Sequence, residues 1–481
     1  MISPRVGFNY DLTKDGKIKL RGGTGIFTGR FPLIFLSKLQ ENSGMIQTSV
    51  QINNASHALL PYLEGGVRRP QQVLSEVVPN LPDNLKSLFP TEPGAVANLT
   101  TIDRNFKMPQ VWKTTLAVDY TLPVPFPAVF TLEGTFAKDI NALTIRDLNI
   151  DPAKVEANRF AGPDDRFFYP GAAAKRYDNV TNENGKPYTG YAYELTNTNK
   201  GYSANIVAQL KAEPLKNLNV MAAYTYTVSK TMNSMASSNV DASTLPTVNG
   251  YNYQSLHNAR YVYSPHRLIA SASYRFNSSC DKASTLVSLF YEGRRNNGYS
   301  ITYDGDMNND GINQDLIYVP ASKDELIFQD KTVGGVTFNA ADQREAFWNF
   351  INQDPYLSDR KGKYTEPWSA YNPWFNRFDL RLSREYSIKV GKSTNRLQFS
   401  FDILNVGNLI NSNWGVTKIV NNAAAKPLKR VGVTADNQPI YTMSHYTDTD
   451  GKTKLIDHTF DVVKNYQQCW RMQIGVKYTF N

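Results

Sequence analysis

From position 470 to the end of the chain, apolar and polar residues take turns. Trp470, Met472, Ile474, Val476, Tyr478 and Phe480 alternate with Arg471, Gln473, Gly475, Lys477 and Thr479. Successive side chains of a β-strand point to opposite faces, so this spacing predicts a strand with one apolar and one polar side. The pattern recurs along the whole chain. Leu397, Phe399, Phe401 and Ile403 carry it, as do Phe378, Leu380, Leu382 and Tyr386. So do Val287, Leu289 and Tyr291, then Leu268, Ala270, Ala272, Tyr274 and Phe276. Leu218 to Tyr226, Tyr202 to Leu210, Phe130 to Phe136 and Trp112 to Tyr120 follow the same rule, as do Val6 to Leu12 and Ile18 to Ile26. Eleven segments result, most about ten residues long, the length with which a tilted strand crosses a bilayer.

The connections between them alternate strictly between short and long. Short ones fall at 13–16, 123–127, 213–217, 277–282 and 391–395, rich in Gly, Pro, Asn, Asp and Ser as tight turns require. Long ones run approximately over 28–107, 148–200, 231–264, 296–375 and 407–468. Outer-membrane barrels have this asymmetry, with tight periplasmic turns and long extracellular loops. Compact soluble domains have little room for loops of such length. Aromatics near segment ends (Tyr10, Trp112, Tyr120, Trp470, Tyr478, Phe480) match an interfacial girdle. The fold expected is therefore all-β: a transmembrane antiparallel β-barrel with long extracellular loops and short periplasmic turns, set in the outer-membrane bilayer. A soluble all-β ligand-binding module is the competing reading.

An odd count has a geometric consequence. The first and last strands then both run toward the short-turn side, and pairing them directly would be parallel. Single-chain bacterial barrels use even numbers of antiparallel strands. Residues 1–481 are thus expected to be the partial barrel domain of a larger receptor, eleven C-terminal strands of a 22-strand barrel, the size of the plugged transporters.

Composition narrows the function classes. Apolar residues make up 41% and aromatics 12% of the 481 residues, and mean hydropathy is −0.43; a disordered chain would be poorer in aromatics. No run approaches the roughly 20 apolar residues of a membrane helix. The net charge of +9 comes from 52 basic and 43 acidic residues scattered along the chain. Without a basic cluster, nucleic acid is not an expected partner. Met1-Ile2-Ser3-Pro4 lacks the n- and h-regions of an export signal.

Particular motifs then resemble a known family. Ser3-Pro4-Arg5-Val6-Gly7-Phe8-Asn9-Tyr10-Asp11 and Leu20-Arg21-Gly22-Gly23-Thr24-Gly25-Ile26-Phe27-Thr28-Gly29-Arg30 resemble barrel strands of TonB-dependent receptors from Bacteroidota. The likeness is to the Oar-like group, which carries a carboxypeptidase-regulatory-like N-terminal module. Asp306 to Gly311 running into Asp315-Leu316-Ile317-Tyr318-Val319-Pro320, Asn376-Arg377-Phe378-Asp379-Leu380-Arg381, and Asn405-Val406-Gly407-Asn408-Leu409-Ile410-Asn411 are similar too. The resemblance implies energised outer-membrane uptake of a large or scarce solute such as a glycan, peptide or metal chelate. It implies the TonB complex as a partner through a plug, and a surface lipoprotein as a further one. No plug, signal peptide or first half-barrel is recognisable in this sequence, so the chain is expected to be a fragment or one part of a split receptor. The last strand, with Trp470, Tyr478 and Phe480, resembles the signal read by the outer-membrane insertion machinery, although Asn481 follows the aromatic. The same barrel acting in surface binding or adhesion, without transport, is the alternative.

Candidate chemistry is sparse. Asp306, Asn308, Asp310 and Gly311 match positions 1, 3, 5 and 6 of a calcium loop, but position 12 is Ile317, and Asp315 comes two residues early. Structural calcium and a solvated Asx-rich turn both remain open. Trp348, Trp368, Tyr371 and Trp374, in an outer loop dense in aromatics, are candidates for stacking on a ligand or for packing the loop on itself. Arg377, Asp379, Arg381, Arg384 and Glu385 are expected to line the lumen, as cross-strand ion pairs or facing a plug or permeant. The glycines Gly22, Gly23, Gly25 and Gly29 do not form a dinucleotide fingerprint. The five histidines are scattered, Asp164-Asp165 lacks acid–base spacing, and GxSxG and P-loop motifs are absent. A glycosidase carboxylate pair is also missing, so no enzymatic activity is expected. Cys280, in a periplasmic turn, and Cys469, near the outer start of the last strand, are expected to be free thiols.

Overall fold

A computed structural model of the chain describes residues 2–29, 99–170, 191–232 and 245–480, apart from 261, 263, 278–281 and 392, with a few isolated positions between 30 and 98 and at 174 and 176. All eleven expected segments are strands: β1 (Arg5–Asp11), β2 (Ile18–Thr28), β3 (Gln110–Thr121), β4 (Ala128–Asp147), β5 (Tyr202–Leu215), β6 (Leu218–Thr231), β7 (His266–Asn277), β8 (Ala283–Arg295), β9 (Trp374–Val390), β10 (Ser393–Leu404) and β11 (Arg471–Phe480). They pair in sequence order, each antiparallel to the next, in one sheet that runs from β1 to β11 without closing on itself.

Register converts the sequence alternation into two continuous faces. Ile18, Tyr120, Phe130, Leu210, Ala222, Ala270, Tyr291 and Phe378 lie side by side across eight strands. One step along, Ala128, Ala212, Val220, Ala272, Leu289, Leu380, Ile403 and Met472 form a second apolar row. This face is open, with Leu116 50%, Ile474 71% and Val476 64% exposed. The opposite face is polar and more enclosed: Ala117, Ala223, Glu292 and Ser383 on it are all buried. That difference is expected of a curved sheet whose polar side lies inside.

Turn chemistry sets two hairpins tighter than the sequence reading had them. Between β5 and β6 the turn is only 216–217, with Asn217 in the left-handed region at φ 69°, and the expected turn residues 213–215 belong to the strand. Between β9 and β10, pairing reaches Val390 and Ser393, and Gly391 takes φ 64°. At 216–217 only the second residue has positive φ, and the register shifts between Leu218 and Val220, a bulge that takes up the twist at the corner.

The five long loops, first to fifth in chain order, are 29–109, 148–201, 232–265, 296–373 and 405–470. Described parts of the second, fourth and fifth fold into a body with its own core. Phe160, Ile301, Tyr303, Phe328, Phe347, Phe350, Leu428, Tyr441 and Met443 are among its buried side chains. A small sheet joins loops, Ile327–Phe328 pairing in parallel with Pro439–Met443 and the latter antiparallel with Leu428–Val433. Helix α1 (Ala340–Gln353) starts at Asn339, whose side chain accepts from Asp342 N at 2.7 Å, and buries Gln343, Phe347, Phe350 and Ile351. Those positions are three and four apart, one face of a helix. The sequence reading, tuned to period two, passed over that spacing. No helix is long and apolar enough to cross a membrane among the described residues.

Candidate functional site

The polar face of the sheet carries a ladder of ion pairs. Arg21 reaches Asp119 at 3.1 Å and Glu133 at 3.0 Å, and Thr131 donates to Asp119 at 2.6 Å. Across the sheet, Arg267 meets Glu292 at 2.8 Å, and Arg377 lies 3.9 Å from Glu292 and 3.2 Å from Asp379. Arg381 approaches Asp402 at 3.5 Å. Arg377, Asp379 and Arg381 thus sit on the enclosed face, Arg377 and Arg381 in cross-strand pairs and Asp379 paired with Arg377 along its own strand. Arg384 corrects the sequence expectation. It shares the apolar face with Leu382 and Tyr386, because strand parity places even positions of β9 there. At the short-turn rim its guanidinium donates to Thr285 Oγ1 at 2.5 Å and stacks over Tyr386, a long side chain snorkelling along the interface.

Aromatics mark both rims of the apolar face. Trp112, Tyr226, His266 and Trp374 stand at the loop end; Tyr10, Tyr120, Tyr274, Tyr386, Tyr478 and Phe480 stand at the turn end. Trp374 is 47% exposed on this face, which separates it from the other three loop aromatics. Trp368 and Tyr371 come together in a cleft of about 260 Å³ with Asn258, His266 and Arg295. Arg260 lies over Trp368, Arg295 lies over Tyr371, and the buried Trp368 Nε1 donates to nothing. A space that size takes a ring or a headgroup, short of the roughly 300–1,000 Å³ of a pocket for a drug-sized ligand. Trp348 is elsewhere, on α1, with Lys361 Nζ 4.5 Å from its ring. The four candidates therefore do not form one site.

The polar centre of the loop body is a knot with no counterpart among the motifs of the sequence. Asp164, buried, accepts from Arg166 Nε at 2.8 Å, Tyr303 Oη at 2.9 Å, Tyr364 Oη at 3.0 Å and Tyr441 Oη at 3.3 Å. Its donors come from three loops. Adjacent Asp165 is exposed, and its Oδ1 accepts from the same Tyr364 hydroxyl at 3.3 Å. The alternation of burial, with Arg166 fully enclosed, has no periodic trace because a loop has no fixed period.

Beside the knot, the Asx-rich segment folds back on itself. One carboxylate oxygen each from Asp306, Asp310 and Asp315 lies within 4.8 Å of the others. Met307 N donates to Asp315 Oδ2 at 2.7 Å, Gly311 N to Asp306 Oδ2 at 2.9 Å, and Asp310 N to Asn308 Oδ1 at 3.2 Å. Gly311 holds φ at 90°, a conformation that a side chain would resist. Burial, then the neighbouring Asp306 charge, pushes the Asp310 carboxyl up to about 7. Burial and Asp310 drive Asp315 well above the carboxylate range. Asp315 thus lies against Asp306 and Asp310, two residues before position 12 of the calcium-loop pattern.

At the far end, β11 borders the sheet, and Tyr478 and Phe480 lie on its apolar side at 60% and 71% exposure. Trp470 N donates to Asn408 Oδ1 at 3.1 Å, anchoring the loop end of the strand. Cys469 is a free, exposed thiol; Cys280 lies outside the described residues.

A sheet apolar on its open side, polar on its enclosed side, girdled at both rims and antiparallel throughout defines a transmembrane β-barrel protein. The family follows from the sequence comparison. The chain belongs to the outer membrane beta barrel domain family, whose model matches residues 1–428, and its place is the outer membrane. Among solved structures it is similar to the outer membrane transporter YddB from Escherichia coli, with 11% identity and a TM-score of 0.38 over 91% of this chain and 38% of that one. It is also similar to a mutant of the ferric enterobactin receptor PfeA from Pseudomonas aeruginosa, with 9% identity and a TM-score of 0.34 over 99% of this chain and 40% of that one. The chain therefore spans well under half the length of either. No curated protein matches it.

Proposed function

We propose that this chain supplies barrel wall and outer loops to a TonB-dependent outer-membrane receptor of the Oar-like, Bacteroidota type, which takes up a large or scarce solute. The observation that carries the proposal is the pairing of a lipid-facing sheet with an ion-paired inner face beneath a folded outer-loop body. A polar, charged inner wall suits contact with a plug and a hydrated permeant. β1 and β11 run in the same direction, so completing an antiparallel barrel requires an odd number of further strands. Eleven more would give the 22 of plugged transporters. A glycan, a peptide and a metal chelate are the candidate solute classes. The TonB complex would act through a plug, and a surface lipoprotein would present the solute to the loops. The final strand, with Trp470, Tyr478 and Phe480, serves the insertion machinery, since an open edge invites strand addition. The protein's work is binding and passage, without a catalytic step.

Uptake of labelled glycans, peptides and chelates by cells with and without the gene tests this reading. Loss of accumulation on deletion, reproduced in gene-bearing cells by a protonophore, is the expected result. Gene-dependent surface binding that a protonophore leaves unchanged, with no accumulation for any class, would replace transport by adhesion.

A further inference from the structure

The Asx-rich segment of the fourth loop is not accounted for by passage through a barrel. It lies where three other loops meet. Tyr169 N, of the second loop, donates to Asn308 O at 2.7 Å, and Leu316 N donates to Thr247 O, of the third, at 2.8 Å. Arg430, of the fifth, donates to Asn309 Oδ1 at 2.6 Å. Within this junction two carboxylate oxygens, Asp310 Oδ2 and Asp315 Oδ1, are shut off from solvent and accept no hydrogen bond. Asp315 is 0% exposed. The hydroxyl of Thr247, bridged to Asp315 by the backbone and 4% exposed, is also without a partner. Buried carboxylate oxygens left bare cost several kcal/mol unless something cationic meets them.

Protein charge does not meet the demand. Asp164, Asp306, Asp310 and Asp315 gather around two guanidiniums, Arg166 and Arg430. Arg166 gives Nε to Asp164 at 2.8 Å and Nη2 to Leu316 O at 2.7 Å, while its buried Nη1, like Arg430 Nε, reaches no acceptor and so leaves the bare carboxylate oxygens unmet. Arg430 is engaged with Asn309 and stacked near Phe160 and Phe168. Burial and mutual repulsion press Asp310 and Asp315 toward the neutral form, and a divalent cation would let both ionise, the four carboxylates then exceeding the two guanidiniums by two charges.

We propose that Asp306, Asp310 and Asp315 hold a calcium-class divalent cation that locks the second, third, fourth and fifth loops into one outer body. The donor set is all oxygen, which selects a hard cation over zinc or copper. Oxygens within 4.8 Å of one another can share one ion, because two Ca–O bonds of about 2.4 Å span that distance. The segment departs from an EF-hand. Asp315 takes part from two residues earlier than a bidentate position-12 ligand, and the remaining coordination falls to water and nearby carbonyls. The site is structural, and it would serve a transporter and an adhesin alike.

The test uses the full chain, folded in detergent and stripped with a chelator, titrated calorimetrically with Ca²⁺ and, separately, with Mg²⁺. One Ca²⁺ per chain is expected, with affinity at least about tenfold above that for Mg²⁺, and proteolysis of the outer loops should slow on Ca²⁺ addition. Asp310→Asn and Asp306→Asn should each weaken Ca²⁺ binding by at least about tenfold, roughly 1.4 kcal/mol, while heat-modifiable gel mobility shows the barrel still formed. Asp306 is only half-buried, so its variant guards against a folding failure at Asp310. Asp304→Asn, at an exposed neighbour, should bind as the parent does. Absence of Ca²⁺ binding up to millimolar concentration by the folded chain would overturn the proposal. So would binding, or loop protection, that both variants leave intact.

Discussion

Arg166 and Asp164 meet at 2.8 Å with both side chains sealed from solvent, inside a body made of loops. Two charges are costly to bury, and here Tyr303, Tyr364 and Tyr441 donate to the carboxylate alongside Arg166, while Arg166 Nη1 is buried without a partner. Removing one partner strands the other. Asp164→Asn should destabilise the loop body by about 3–5 kcal/mol. The expected readout is rapid proteolysis within the second, fourth and fifth loops while the barrel keeps its heat-modifiable mobility; loops as resistant as in the parent would refute it.

The two faces of the sheet should respond oppositely to charge. Ile474 pairs with Phe401 on the open apolar face, and Gln473 pairs with Asp402 on the enclosed one. Ile474→Arg should cost about 2–4 kcal/mol in bilayers, as charge at mid-membrane does in other barrels. Gln473→Arg should be tolerated, gaining Asp402 as a neighbour. Folding yields into lipid vesicles measure the difference, and equal yields would reverse the assignment of faces.

Glu292 answers to two arginines, Arg267 and Arg377. Glu292→Gln leaves those guanidiniums facing each other on an enclosed wall. A loss on the order of 1 kcal/mol is expected, reduced by added salt. A double-mutant cycle with Arg267→Gln should return a favourable coupling.

His458 offers a pH test outside the barrel. Burial alone would lower its pKa, but hydrogen bonds to Asp457 Oδ1 at 2.6 Å and Asp461 Oδ1 at 3.0 Å outweigh it and raise it above the usual 6.5. A raised histidine stabilises the fold while protonated, so its contribution is complete below about pH 6.5 and fades as pH climbs through the raised value. Loop-body stability should therefore fall modestly between pH 6 and 8, and His458→Gln should abolish that part of the slope.

Cys469 is exposed near the outer start of β11. A membrane-impermeant maleimide should label it in intact cells, and Cys469→Ser should remove that signal. Cys280, expected on the periplasmic side, should stay unlabelled until the outer membrane is opened.

The barrel wall was readable because lipid imposes a strict rule. Each strand such as β11 or β10 shows period two over its full width, and Gly, Asn and Asp mark where it reverses. Arg384 was misplaced only where charge was weighed above parity. The loop body obeys no single rule. The helical spacing of Gln343, Phe347 and Ile351 went unread beside the period two of the strands, and Asp164 and Arg166, two apart, join Tyr303 and Tyr441 through contacts 139 and 277 residues distant. Nothing local distinguishes those tyrosines from the other aromatics of the chain. The Asx-rich segment was visible as a motif, yet the part played by Asp315 depended on how the backbone doubled back.

Most of the buried apolar side chains of the described residues lie in the loops, and the strands turn their greasy side outward. Two media thus hold one chain together. Delipidation should threaten the wall and spare the headpiece, whereas denaturants in water should melt the headpiece first and leave a bare cylinder segment in the bilayer. Such a molecule can remodel what it shows the outside world without renegotiating its place in the membrane.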